Sequence, residues 1–351
     1  MQPQMPSGTR VLESSMFPPI PFSPIRTSLY SPQELMGTLD QGDYKSFERT
    51  VDFRCFAYYA EHGRSAPSDP LSSLFEALHD NSITQATLAL LKERPRVAAI
   101  MGGHDEPRGS EVYTGVARIS ALLCREKFLM ASGGGPGAME AAHLGACFRD
   151  DPAALESAIQ ELKGTAPSLP ADASKVIGSN GEIDQRIVQA LHAWIMPAWR
   201  LSQTAHGESL ALPTWYYGHE PSTPFAIHIA KYFQNSIRED GLIALAAHGI
   251  VFASGKAGTL QEIFQDSVRN YYRSAADPFS PMVFFGKTYW TEKLPAAALL
   301  QALFRNAGRE KEYTDNVLIT DDENEAAAFL VRNAPPDNAH LARLRALGMM
   351  V

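Results

Sequence analysis

Two segments of the chain carry residue types suited to holding a phosphorylated ligand: Ser132-Gly133-Gly134-Gly135-Pro136-Gly137-Ala138-Met139-Glu140 and Ser254-Gly255-Lys256-Ala257-Gly258-Thr259-Leu260-Gln261-Glu262. Successive glycines let the main chain approach an anion closely and adopt positive φ angles that side chains forbid. Each segment follows a short apolar run and opens a helical pattern, so unpaired N–H groups of the first turn point at the same place. Pro136 suits a first helical turn because it gives up no hydrogen bond there. In the second segment Lys256 sets an ammonium between glycines. Thr259 either caps the helix or offers its hydroxyl to a phosphate, and Glu262 either reaches a ligand at the helix start or complements the helix dipole. One glycine-rich turn is a weak signal, but the pair points to a nucleotide.

Further candidates lie beside these loops. Gly102-Gly103 and then His104-Asp105-Glu106 follow the first apolar strand, at the carboxyl edge where open α/β sheets bind ligands; the acidic turn either lines a ribose pocket or is solvated. Tyr216, Tyr217 and His219 either stack on a base or serve as packing. The ten histidines show no spacing that suggests a zinc site, so no metal and no cofactor is expected.

The elements that must position these residues read as a β/α series. Apolar runs at 96–101, 127–132, 209–213, 249–253, 281–285 and 316–320 predict strands, and the first is nearly unbroken, as in a parallel strand buried on both faces. Helical patterns fall at 111–125, 136–147, 259–272, 291–306 and 323–332, with another expected from Pro224. The alternation predicts an α/β, Rossmann-like doubly wound, mostly parallel sheet of about six strands with helices on both faces. Residues 148–206 interrupt it as a helical insertion, with helices near 153–163 and 183–200. Residues 1–40 read as a proline-rich extended leader, either an arm on a neighbouring surface or a disordered tail. A helical extension occupies 41–94, with a break near Asp80-Asn81; the Rossmann-like domain spans 95–335, and a tail helix 336–351.

Composition narrows the partners. With 31 basic and 39 acidic residues, the net charge of −8 argues against a nucleic-acid surface. No apolar stretch has the length of a membrane span, and Cys55, Cys124 and Cys147 are odd in number and widely spaced. A cytoplasmic protein is the expectation.

Residues 130–146, MASGGGPGAMEAAHLGA, resemble the first signature of the LOG family, the cytokinin-activating phosphoribohydrolases and their bacterial relatives often mislabelled lysine decarboxylases. Residues 254–262 resemble its second signature, Pro-Gly-Gly-x-Gly-Thr-x-x-Glu, with Ser254 in place of the proline and Lys256 in place of the second glycine. The resemblance covers about residues 95–332 and implies hydrolysis of the N-glycosidic bond of a nucleoside 5′-monophosphate to free base and ribose 5-phosphate. It implies Glu262 and Arg238 as the catalytic pair, and Gly102, Gly103, Gly133, Gly134, Gly135, Gly137, Met139, Glu140, Gly255, Lys256, Ala257, Gly258 and Thr259 as the nucleotide site. It also implies a homodimer. A protein of the same fold that binds or senses a nucleotide without hydrolysis is the alternative. A dinucleotide oxidoreductase fits less well, because the glycine turn follows the second strand and no acidic residue is placed for a ribose. A lysine decarboxylase needs a Schiff-base lysine, and none stands out.

Overall fold

The computed structural model describes residues 20–62, 69–274 and 277–346. Its centre is a seven-stranded sheet. The strands are β1 (Arg96–Met101), β2 (Phe128–Ser132), β3 (Ser209–Ala211), β4 (His228–Ile229), β5 (Ile250–Phe252), β6 (Met282–Phe285) and β7 (Val317–Thr320). They lie in the order β4-β3-β2-β1-β5-β6-β7, and every neighbouring pair is parallel. This is the Rossmann-like α/β fold, with one strand more than expected. The additional strand is β4, two residues long and too short to show as an apolar run.

Alternation along β1 explains why both faces are covered. Val97, Ala99 and Met101 join one hydrophobic cluster and Ala98 and Ile100 the other. The second cluster lies under the helices Glu111–Arg125, Ala138–Cys147, Pro152–Thr165 and Glu323–Asn333. The first joins the sheet to the N-terminal extension, so Phe53, Tyr59 and Leu88 share a core with Leu129 and Leu210.

Several expectations change. The extension contains one continuous helix, Pro70–Leu91, where a break at Asp80-Asn81 was predicted. Asp80 is buried, and its carboxylate accepts the backbone N–H groups of Phe233 and Gln234 at 2.9 Å, so it serves a distant loop instead of ending its own helix. No helix starts at Pro224; the next helix is Asn235–Leu245. Thr223 instead donates its N–H to the carbonyl of Gly134 (2.9 Å), and the chain turns at Pro224-Phe225 before entering β4. The helical pattern at 291–306 divides into a π-helical turn, Tyr289–Lys293, and the helix Ala296–Asn306; a further helix, Glu310–Asn316, precedes β7. The leader packs on its own chain: Tyr30 and Ile229 exchange backbone hydrogen bonds of 3.0 and 2.9 Å, covering the outer edge of β4. The insertion forms the helices Pro152–Thr165 and Gln185–Ser202, and the tail helix is Ala339–Ala346. The first 19 residues of the leader and the last five of the tail lie outside the described residues.

Candidate functional site

The chain leaves β1 towards β2 on one side and returns as β5 on the other. Their carboxyl ends therefore diverge into a crevice, the place where doubly wound sheets bind ligands. Three loops meet there and are laced by the backbone. Gly103 donates its N–H to the carbonyl of Ser254 (2.8 Å), and Ala138 donates to the carbonyl of Gly103 (3.1 Å). Gly137 shows why a glycine is required: its φ is +69°, and a Cβ there would lie 2.3 Å from the Gly103 carbonyl oxygen. Gly137 is also the residue that caps the helix Ala138–Cys147, so Pro136 stands before that helix, not in its first turn.

A cavity of about 320 Å³ opens at this crevice. Gly102 and Gly103 border it from β1, Gly133, Gly135 and Met139 from the first glycine loop, and Ala257, Gly258 and Thr259 from the second. Lys256, Arg238 and Glu262 meet there too, as do His104 and Asp105 of the acidic turn. The helix Ala257–Tyr272 begins with Lys256 as its cap and has no side-chain cap hydrogen bond, unlike the helices capped by Thr50, Asp69, Ser110 and Asp184. Its first amides thus have no side-chain acceptor of the usual kind at the cavity edge. Thr259 is the third residue of that helix and not its cap, and its hydroxyl packs where a Cβ on Gly255 would fall, 2.1 Å away.

Three other expected residues lie outside this cavity. Gly134 gives its N–H to Ser132 Oγ (3.1 Å) and its carbonyl to Thr223, so both backbone groups are engaged. That serine oxygen also lies 2.7 Å from Nε2 of buried His143, whose pKa burial pushes down to about 3. Gly255 lies beneath Thr259, and Gly137 faces a neighbouring cavity.

Glu140 has a different position again. It is fully buried and accepts Arg108 Nε and Nη2 at 2.7 Å each and the Tyr113 hydroxyl at 2.8 Å. Arg108 also donates to the carbonyls of Ala166 (3.1 Å) and Trp194 (2.9 Å) and stacks 3.9 Å over the Trp194 ring. The carboxylate expected to face a nucleotide thus anchors the first glycine helix to the insertion through Arg108, with both of its oxygens already accepting hydrogen bonds.

Glu262 has the opposite surroundings. Among the described residues none donates a hydrogen bond to its carboxylate, and burial pushes its pKa up to about 7, opposed by Arg238 and reinforced by Glu239. Arg238 is buried beside the first glycine loop: its Nη1 is 3.3 Å from where a Cβ on Gly133 would sit. Asn235 Oδ1 accepts from Arg238 Nη2 (2.8 Å) and Nε (3.2 Å), which fixes the guanidinium plane.

The two departures from the family signature both connect to the acidic turn after β1. Ser254 Oγ donates to Glu106 Oε2 (3.0 Å), and Lys256 Nζ lies 2.5 Å from Asp105 Oδ2, holding that carboxyl below its usual range.

Glu220 was not singled out from the sequence. It borders the cavity on the loop between β3 and β4, and burial raises its pKa against the pull of His104 and Arg238. His104 Nε2 and His219 Nε2 stand 3.9 and 3.8 Å from its Oε1. Tyr217 borders the same cavity, whereas Tyr216 packs against Tyr59 and Tyr217. The loop is braced from the N-terminal extension: Asp52 accepts the N–H of Ser222 (3.1 Å) and pairs with buried Lys231 (2.5 Å), which donates to Ser222 Oγ (2.7 Å). Gly218 lies against Phe56, 2.3 Å from the ring for an added Cβ. The only sequence signal for Glu220 is its place after a strand at the carboxyl edge.

No protein-family model matches the chain, and no curated protein matches it in sequence. Among the described residues there is no cluster of three metal-ligating side chains, and no helix is long and apolar enough to cross a membrane. Bare helix amides, a guanidinium and a carboxylate with a raised pKa on one cavity can hold a phosphate and stabilise positive charge nearby.

Proposed function

We propose that the protein hydrolyses the N-glycosidic bond of a nucleoside 5′-monophosphate, releasing a free base and ribose 5-phosphate. The observation that carries this reading is Glu262, unpaired among the described residues on the cavity that also meets both glycine loops and Arg238. The phosphate sits on the amides of Ala257, Gly258 and Thr259, with Arg238 supplying positive charge. The C1′–N bond breaks with its electron pair leaving on the base, and the sugar acquires oxocarbenium character that ionised Glu262 stabilises. A water oxygen bonds to C1′, its proton passes to Glu262, and a proton from solvent reaches the departing nitrogen. Anchoring the phosphate fixes C1′ against the carboxylate. The purified protein incubated with purine and pyrimidine monophosphates should release free base, and Glu262→Gln should not. Turnover unchanged in that variant would overturn the assignment.

A second reading, binding without hydrolysis, is favoured by the engagement of Ser254 and Lys256 with Glu106 and Asp105 where the family signature has proline and glycine. Binding with no base released across the panel would select it. The proposal extends to a cytoplasmic homodimer. Phe264, Val268 and Tyr272 are exposed at four-residue spacing along the Glu262 helix and support self-association. A monomer by sedimentation at micromolar concentration would remove that part.

A further inference from the structure

We infer that the base of the nucleotide occupies a second chamber, walled by the insertion, with Glu220 at the junction accepting hydrogen bonds from N–H groups on the base edge. This inference rests on the nucleotide reading above.

The second chamber measures about 430 Å³ and adjoins the first: His104, Asp105, Glu220 and Lys256 border both. The chemistry is divided between them. Both glycine loops, Arg238 and Glu262 supply phosphate and sugar chemistry to the first chamber. The second is bordered by Leu169 and Pro170 together with Ser168, Ser174 and His219. Apolar faces at Leu169, Pro170 and Trp194, set among charged and polar side chains such as Glu106 and His219, suit a flat heterocycle that offers donors and acceptors around its edge. They do not suit a second phosphate, because Glu106 and Glu220 bring negative charge and Lys256 is already paired with Asp105.

The wall is built, not incidental. Arg108 donates its backbone N–H to the carbonyl of Pro167 (2.8 Å), and its guanidinium holds the carbonyls of Ala166 and Trp194 while Glu140 holds it in turn. The segment carrying Ser168 and Ser174 is therefore tied at its start to the first glycine helix. Glu220 is 14% exposed in its side chain, and its backbone N–H bonds to the carbonyl of Tyr217 (2.7 Å), so the carboxylate is held where the chambers join. A carboxylate there discriminates among bases by the N–H groups they present.

Calorimetric titration with nucleoside monophosphates and with ribose 5-phosphate tests the assignment in wild type, Ser168→Trp, Ser174→Trp, Glu220→Gln and Tyr217→Ala. Ser168 and Ser174 are exposed, so tryptophan there fills the chamber without entering the core. Both tryptophan variants should lose at least about tenfold in nucleotide affinity while keeping ribose 5-phosphate affinity within about twofold. Glu220→Gln should reduce the preference among bases. Nucleotide affinity unchanged in both tryptophan variants, or lost only in Tyr217→Ala, would overturn the inference and put the base in the first chamber. Parallel loss of ribose 5-phosphate would also overturn it. Wild type that binds nucleotide, with that binding untouched by either tryptophan, would defeat the base chamber alone; wild type that binds ribose 5-phosphate but no nucleotide would defeat the nucleotide reading together with it. Wild type that binds neither would defeat the underlying nucleotide reading as well.

Discussion

Two glutamates stand near the starts of the two helices that follow the glycine loops, and their surroundings are opposite. Glu140 is buried with three hydrogen bonds from Arg108 and Tyr113, whereas Glu262 borders a cavity and accepts none from any described residue. Similar placement on a strand–loop–helix unit therefore does not assign similar work. A carboxylate whose lone pairs are filled by its own protein contributes to folding. One left short of donors keeps a raised pKa and is available to a ligand.

Exchanging the glutamates for glutamine should break the comparison most sharply. Glu262→Gln should lower base release by about 10²–10⁴-fold, measured as free base formed, with nucleotide binding retained. Glu140→Gln should instead destabilise the fold by about 3–5 kcal/mol in urea unfolding, because the buried Arg108 loses its counter-charge. A stable Glu140→Gln protein without activity would show that the division between structure and chemistry is misplaced.

The pH dependence sharpens the same contrast. Glu262 has a folded pKa of about 7, above its ordinary 4.5, so the native state favours the proton. Its contribution to stability is present below the ordinary value and is lost as pH rises to about 7, so wild type should weaken across that interval relative to Glu262→Gln. The proposed hydrolysis needs the ionised form, so its rate should rise through about pH 7 as stability falls. Arg238 pulls this pKa down, so Arg238→Gln should move the midpoint of the rate profile to higher pH. A midpoint that does not move would separate Arg238 from Glu262. The smallest effect is expected for Lys256→Gly, since Lys256 and Asp105 form an exposed pair: unfolding should be unchanged and KM should shift only modestly.

The sheet was legible because a parallel strand buried on both faces reads as an unbroken apolar run, as at residues 97–101. Seeing β4 required its pairing, since two residues carry no period. Asp80-Asn81 resembles a helix break because aspartate and asparagine favour turns, and nothing local shows that backbone amides from residues 233 and 234 complete the Asp80 carboxylate. The cavity's glycines and Glu262 could be picked from spacing alone, yet spacing could not separate Glu262 from Glu140. That distinction depends on Arg108 and Tyr113, about 30 residues away in the chain. Glu220 was hidden for the same reason: its loop is positioned by Asp52 and Phe56, which lie in the N-terminal extension.

The Asp52–Lys231 pair also decides where the protein can be cut. Trimming to the β/α series at residue 95 would strip a buried ammonium of its carboxylate, a loss of about 3–5 kcal/mol, and release the loop that carries Glu220. Boundaries drawn around the sheet would thus produce a fragment whose candidate cleft has lost the brace of its Glu220 loop. The smallest faithful unit for expression or crystallisation begins upstream of Asp52.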